Sequence, residues 1–262
     1  MNKLGIALLA SLGLAACAAP QQGGYGPTAL GITEATPDTE SEARARIFTD
    51  LAGGYFARGQ YKIVLQELLK AIQVEPRFAP AYNLYGLVYQ ELEEYALAEE
   101  NFRRAIELKP GDSEARNNFG RFLCQRGRYD EGLAELAVAL RNPLYDKIEL
   151  AAIDAGQCGE LKGDFDLAES NYQKALKLTP DNPLAVLRLA ALRFRQQRYE
   201  EARRLLDRLD KLARPGPESL WLGVRVERKL GDARQEAAYA QALRRDFPDS
   251  EPARRLDAGN YE

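Results

Sequence analysis

The sequence predicts an all-α protein, a solenoid of about six stacked helix hairpins. Three observations lead there. Residues of like character recur every 34 positions, as with Pro76 and Pro110, Leu51 and Tyr85, Tyr55 and Tyr89, Tyr61 and Tyr95, Leu68 and Phe102, and Ala71 and Ala105. Within each period, apolar residues fall at i, i+3, i+4 and i+7, which puts one buried stripe on each helix. The 262 residues are 45% apolar and 29% charged, a globular composition that excludes collagenous and disordered chains.

The elements follow in chain order. Lys3 supplies a positive charge, Leu4 to Ala16 is an unbroken run of apolar and small residues, and Leu14-Ala15-Ala16-Cys17 closes it. This is the layout of a signal peptide, and at thirteen residues the run falls well short of the ~20 that span a bilayer as a helix. Residues 1–16 are thus expected to be removed. Residues 17–40, rich in Gly, Pro, Gln, Ala and Thr, offer little to bury and read as a tether with a reach of about 25 Å. Thr39-Glu40-Ser41-Glu42 has capping-box spacing and is expected to start the first helix.

Hairpins are expected from near Ala45, Ala79 and Ser113, then from near Glu149, Pro183 and Pro217 after a two-residue insertion. The second is the most regular, with Tyr82, Tyr85, Gly86 and Tyr89 on one helix, Tyr95, Ala98, Phe102 and Ala105 on the next, and Pro110 as the stop. Gly86 and Ala98 let its two helices approach closely. The third carries Phe119, Gly120, Leu123, Gly127 and Tyr129 and ends irregularly at Asn142-Pro143-Leu144-Tyr145. Gly156, Gly163, Phe165, Ala168, Tyr172, Ala175 and Pro180 mark the fourth, and Leu189, Ala190, Tyr199, Ala202 and Leu206 the fifth. The sixth keeps mainly Gly231 and Pro248, as suits a capping unit whose outer face meets water. The repeat domain is taken as 41–252, with 253–262 as a C-terminal tail. Val64 and Gly132 stand where a small alanine is usual, and Val64 is expected to loosen the first hairpin.

Function classes are limited by what is missing. With no histidine, a Ser-His-Asp or Cys-His nucleophile, a His zinc site and a His proton shuttle are excluded. Adjacent carboxylates such as Glu99-Glu100 and Glu200-Glu201 read as solvated helix faces, so neither an enzyme, a cofactor nor a small-molecule substrate is expected. Against 39 acidic residues stand 36 Lys and Arg, and a net charge of −3 gives no basic field for nucleic acid. An array of hairpins instead suggests a groove, lined by the first helix of each hairpin, for a partner's extended or helical segment.

Groove-facing candidates are Asn83, Leu87 and Gln90 in the second hairpin and Asn117 and Arg121 in the third. Later first helices carry Arg188, Arg193 and Arg195, read as a solvated face or a second contact, which places the expected partner site on the early hairpins. For the aromatic residues the expectation is core packing. Cys124 and Cys158 are the thiols left beyond Cys17, at similar heights on neighbouring first helices, so a bridge is geometrically reasonable. It would contribute up to roughly 4 kcal/mol by closing its loop. The alternative is a pair of buried free thiols.

Two resemblances sharpen this reading. The period and its Tyr, Gly, Ala and Pro positions resemble the tetratricopeptide repeat, which implies a right-handed superhelix; the paired Lys/Asn clamp that holds a free C-terminus in some such proteins is absent. Leu14-Ala15-Ala16-Cys17 resembles a bacterial lipobox, implying an acylated Cys17, and Ala18 in place of Asp implies the outer membrane. Several acyl chains, at ~0.8 kcal/mol per buried CH₂, would hold the chain there.

The strings Asn117 to Gly127, Asp154 to Cys158, Glu218 to Arg228 and Phe247 to Ser250 closely resemble the PilF/PilW family of type IV pilus biogenesis lipoproteins. That resemblance implies six repeats, a Cys124–Cys158 pair, an outer-membrane anchor facing the periplasm, and a pilotin role toward the PilQ-type secretin. A repeat lipoprotein serving barrel assembly or cell-wall enzymes is the alternative. None of these resemblances assigns a role to Trp221.

Overall fold

The computed structural model describes residues 39–261, so the readings of the signal peptide, Cys17 and the tether fall outside it. Among the described residues there are thirteen helices and no strand. The hairpins are α1 (Glu40–Phe56) with α2 (Tyr61–Val74), α3 (Ala79–Glu91) with α4 (Tyr95–Leu108), and α5 (Ser113–Gln125) with α6 (Tyr129–Ala139). They continue with α7 (Ile148–Lys162) and α8 (Phe165–Leu178), α9 (Pro183–Arg195) and α10 (Tyr199–Leu212), and α11 (Pro217–Leu230) and α12 (Ala233–Asp246). A last helix, α13 (Glu251–Asp257), follows.

Local chemistry sets the boundaries. Thr39 caps α1 in the expected capping box, its Oγ1 accepting from the Glu42 amide at 3.2 Å while Glu42 accepts from the Thr39 amide at 2.7 Å. Asp112, Asp164, Asn182, Asp232 and Ser250 cap later helices through their side-chain oxygens. Each turn inside a hairpin needs one left-handed residue. Gly59, Gly127, Gly163 and Gly231 supply it with φ of 68, 78, 83 and 77°, and in the second and fifth hairpins Glu93 and Gln197 adopt φ of 61°.

The core is a chain of clusters, each shared by adjacent hairpins. Ala45, Val64 and Leu68 meet Ala81, Tyr85 and Val88 between the first two hairpins, and Ala98 and Phe102 meet Phe119, Phe122 and Leu123 between the next two. Tyr172 with Ala185 and Leu189, then Val186 and Leu206 with Leu222 and Val226, carry the core onward. No hairpin could bury its apolar stripe alone. Close crossings depend on glycine: a Cβ on Gly86 would stand 2.6 Å from the Phe102 ring, which therefore fills that space itself.

Two expectations need correction. Val64 does not loosen the first hairpin; it is fully buried beside Ala45 and Ala52, and α1 packs on α2 along its length as α3 does on α4. The C-terminal residues are not a loose tail from 253 onward. Ser250 starts α13, whose Ala253 and Leu256 are buried against Leu220, Trp221 and Val224 of α11, covering the face a seventh hairpin would otherwise take. Trp221 thereby gains a role, since Tyr261 stacks on it at 5.7 Å between ring centres.

Candidate functional site

The side of the solenoid that can receive a partner follows from which helices touch. Each first helix packs closely on the next first helix, α1 with α3, then α5, α7, α9 and α11 in turn, whereas the backbones of successive second helices stand farther apart. Curvature brings the inner layer together and spreads the outer one, so the first helices line the concave face.

Along that face the polar side chains form a ladder between hairpins. Asn118 Nδ2 donates to Asn83 Oδ1 at 3.2 Å and Gln90 Nε2 to Gln125 Oε1 at 3.1 Å, joining α3 to α5. Asn117 Nδ2 donates to Asp154 Oδ2 at 2.9 Å, joining α5 to α7, and Arg195 Nη1 to Glu160 Oε2 at 2.8 Å, joining α7 to α9. Of the five candidates, Asn83, Leu87, Gln90 and Arg121 are half-buried, with Leu87 resting on the Phe102, Phe119 and Phe122 cluster. Asn117 is a correction: it is 1% exposed, because α7 packs over it and Asp154 takes its amide. It joins two hairpins and offers no surface to a partner. Arg193, read as solvated, is 5% exposed and forks onto Glu169 of α8 at 2.5 Å. Arg188 and Arg195 are exposed, as read.

The ladder surrounds a pocket of ≈ 260 Å³ on α5, α7 and α9, lined by Arg121, Cys124, Asp154, Gln157, Arg188 and Arg195 among others. Cys124 and Cys158 form a disulfide with Cα atoms 5.4 Å apart, which ties α5 to α7 beneath it. Asp154 is 5% exposed, and burial raises its pKa above the ordinary carboxylate value against the opposing pull of Arg121, Asn117 and Arg188. Glu160 is held from behind by the buried Tyr172, whose hydroxyl donates to Oε1 at 2.5 Å. Among the described residues no three His, Cys, Asp or Glu gather to hold a metal, and no helix is long and apolar enough to cross a membrane.

Comparison with known proteins places this geometry. Tetratricopeptide-repeat profiles match residues 79–112, 101–134 and 161–220. The type IV pilus assembly protein PilF of Pseudomonas aeruginosa is 28% identical over 203 residues, 78% of this chain and 81% of its own. A crystal structure of PilW, described as a widely conserved type IV pilus biogenesis factor, superposes with a TM-score of 0.74 at 28% identity, over 81% of this chain and 97% of that one. The structure of Pseudomonas aeruginosa PilF superposes at 0.72 with 26% identity, over 84% and 100%. The chain is a tetratricopeptide-repeat protein of the type IV pilus biogenesis, PilF/PilW, type.

Reasoning from the sequence missed two features of this repeat protein. Asp154 and Gln157 were legible only as part of a family string, since nothing local marks a helix-centre Asp as a pocket wall. The other is an apolar hollow of ≈ 480 Å³ on the first two hairpins, lined by Tyr61, Leu65, Leu69 and Leu92. Leu69 and Leu92 are 48% and 40% exposed there. The available signal was a second apolar stripe on α2: Tyr61, Leu65 and Leu69 lie off the buried line of Val64, Leu68 and Ala71.

Proposed function

We propose that this chain is a non-catalytic, lipid-anchored outer-membrane protein that binds the type IV pilus secretin and promotes its localisation and multimerisation. The observation that carries the reading is the extent of the likeness: the solenoid spans 97% and 100% of two pilus biogenesis structures with TM-scores of 0.74 and 0.72 at 28% and 26% identity, so hairpin number, stacking and sequence agree together. Acylation of Cys17 would confine the groove to the inner leaflet of the outer membrane, where tethering raises the effective concentration of captured subunits without any new contact.

The inner face and the Tyr61, Leu65, Leu69 and Leu92 hollow supply the contacts. The exposed leucines belong to α2 and the end of α3, apart from the polar ladder of the inner face, and would take the apolar face of a partner segment. The test is genetic and biochemical. Deleting the gene should deplete secretin multimers from the outer-membrane fraction, and complementation should restore them. The Cys17→Ala protein should fold yet leave the membrane fraction and fail to restore multimers efficiently. Undiminished multimers in the deletion strain would sink the proposal and favour a scaffold for another envelope complex.

A further inference from the structure

Arginines that reach between helices here generally meet a carboxylate: Arg116 meets Glu135, Arg128 meets Glu99, Arg193 meets Glu169 and Arg203 meets Glu227. In the central groove pocket two do not. Arg188, with the Gln157 amide oxygen turned toward it, gives Nη2 and Nε to that oxygen at 2.8 and 2.7 Å, a neutral acceptor that leaves its charge in place. Arg121 has neither a hydrogen bond nor an ion pair to any described residue. Arg195, the third cation of the pocket, is matched by Glu160. What remains is two guanidinium groups over one buried carboxylate, Asp154, which Asn117 already engages.

We propose that this pocket takes the side chain of an acidic residue in the partner segment, its carboxylate bridging Arg121 and Arg188. The inference rests on the groove being the partner site. Size agrees with it, because ≈ 260 Å³ falls below the ~300–1,000 Å³ of small-molecule sites and suits a single side chain. Charge agrees as well: guanidinium forks match carboxylates bidentately, and both arginines line the pocket. The disulfide ties α5, which carries Arg121, to α7, which carries Asp154 and Gln157, so the site is organised before the partner arrives. Asp154 limits the attraction. It stands within reach of both arginines and repels an incoming carboxylate, which makes it a selectivity element against indiscriminate acidic binding.

The experiment has two arms on the folded mature chain. In the first, the periplasmic part of the secretin is titrated against wild type, Arg121→Gln/Arg188→Gln and Asp154→Asn, with a thermal melt for each. Binding should weaken by about tenfold or more in the double variant, as for loss of a charged contact, and should tighten in Asp154→Asn. Equal binding by wild type and the double variant overturns the inference while leaving the secretin reading intact. Should wild type not bind the secretin at all, that reading fails and the second arm decides. There, arginine-labelled protein is titrated with a blocked Ala/Glu hexapeptide and its Ala/Gln twin by NMR. Shifts of the Arg121 and Arg188 side-chain signals with the Glu peptide alone uphold the inference. No shift, or equal shifts with both, overturns it.

Discussion

Replacing Gly132 with alanine restores the small residue that the repeat pattern carries at that place, and it should nonetheless destabilise the protein. Where α6 crosses α5, a Cβ on Gly132 would lie 2.6 Å from the Gly120 carbonyl oxygen, 3.0 Å from the Cys124 amide nitrogen and closer still to the Cys124 sulfur. Two of these atoms are helix backbone, and the third is fixed by its bond to Cys158. None is the free end of a flexible side chain. Overpacking of this kind costs ~1–3 kcal/mol, while alanine returns about 1 kcal/mol of helix propensity over glycine. Because two of the three close atoms are backbone, the overpacking cost falls at about 2–3 kcal/mol, and the net expectation is a loss of about 1–2 kcal/mol. In a Cys124→Ala/Cys158→Ala background the sulfur contact disappears but the Gly120 oxygen stays, so the loss should shrink without vanishing. Urea melts of the four proteins give the cycle. Hydrogen exchange on α5 and α6 guards against unfolding in more than one step, which a six-hairpin array permits. A Gly132→Ala protein as stable as wild type, or more so, would refute the reasoning, because it would mean that α5 and α6 have room to spare.

Three further outcomes are expected. Glu93→Gly and Gln197→Gly should each raise stability by about 0.5–1 kcal/mol in urea melts, since both residues hold φ of 61° in turns where glycine avoids ~1–2 kcal/mol of left-handed strain and gives back ~0.4–1 kcal/mol in unfolded-chain entropy. Thiol counting on the denatured, unreduced protein should find Cys124 and Cys158 unreactive; replacing both by alanine should cost up to about 4 kcal/mol, and two reactive thiols would remove that argument. The folded-state pKa of Asp154 is raised by burial, so the native state holds its proton more tightly than the unfolded chain and ionisation of this group erodes stability as pH rises from the ordinary Asp value through the folded one. Asp154→Asn should therefore be at least as stable as wild type at neutral pH and should lose this part of the pH dependence, as melts across the acid range would show.

The hairpins were legible because a helix announces its buried face through local spacing. Tyr85, Gly86, Ala98 and Phe102 sit where the period puts them, and Thr39 caps α1 as its spacing to Glu42 requires. The cysteine pair was legible for a related reason: the two lie at similar heights on neighbouring first helices, 34 residues apart across a junction where the turn glycines Gly127 and Gly163 show the repeat lengthened by the two-residue insertion. What the period could not reveal is how far one hairpin shields the next. Asn117 and Arg121 are four residues apart on the same helix, yet α7 buries the first and leaves the second on a pocket wall. Arg193 and Arg195 divide in the same way, one forked onto Glu169 and one exposed beside Glu160.

Three-dimensional packing likewise decided the role of two residues that the repeat pattern treats as departures. Gly132 is glycine because the bridge sulfur and the Gly120 carbonyl occupy the space of its Cβ, and Trp221 is buried because α13 folds back over α11. The sequence by itself determined the architecture, since periodicity, caps and turn glycines act within one hairpin, over distances a chain reads along its own length. Only the tertiary structure decided the site, since Arg121, Asp154 and Arg188 belong to three successive hairpins. Their burial and charge balance depend on the superhelical stacking of those hairpins, a long-range property that no local spacing encodes.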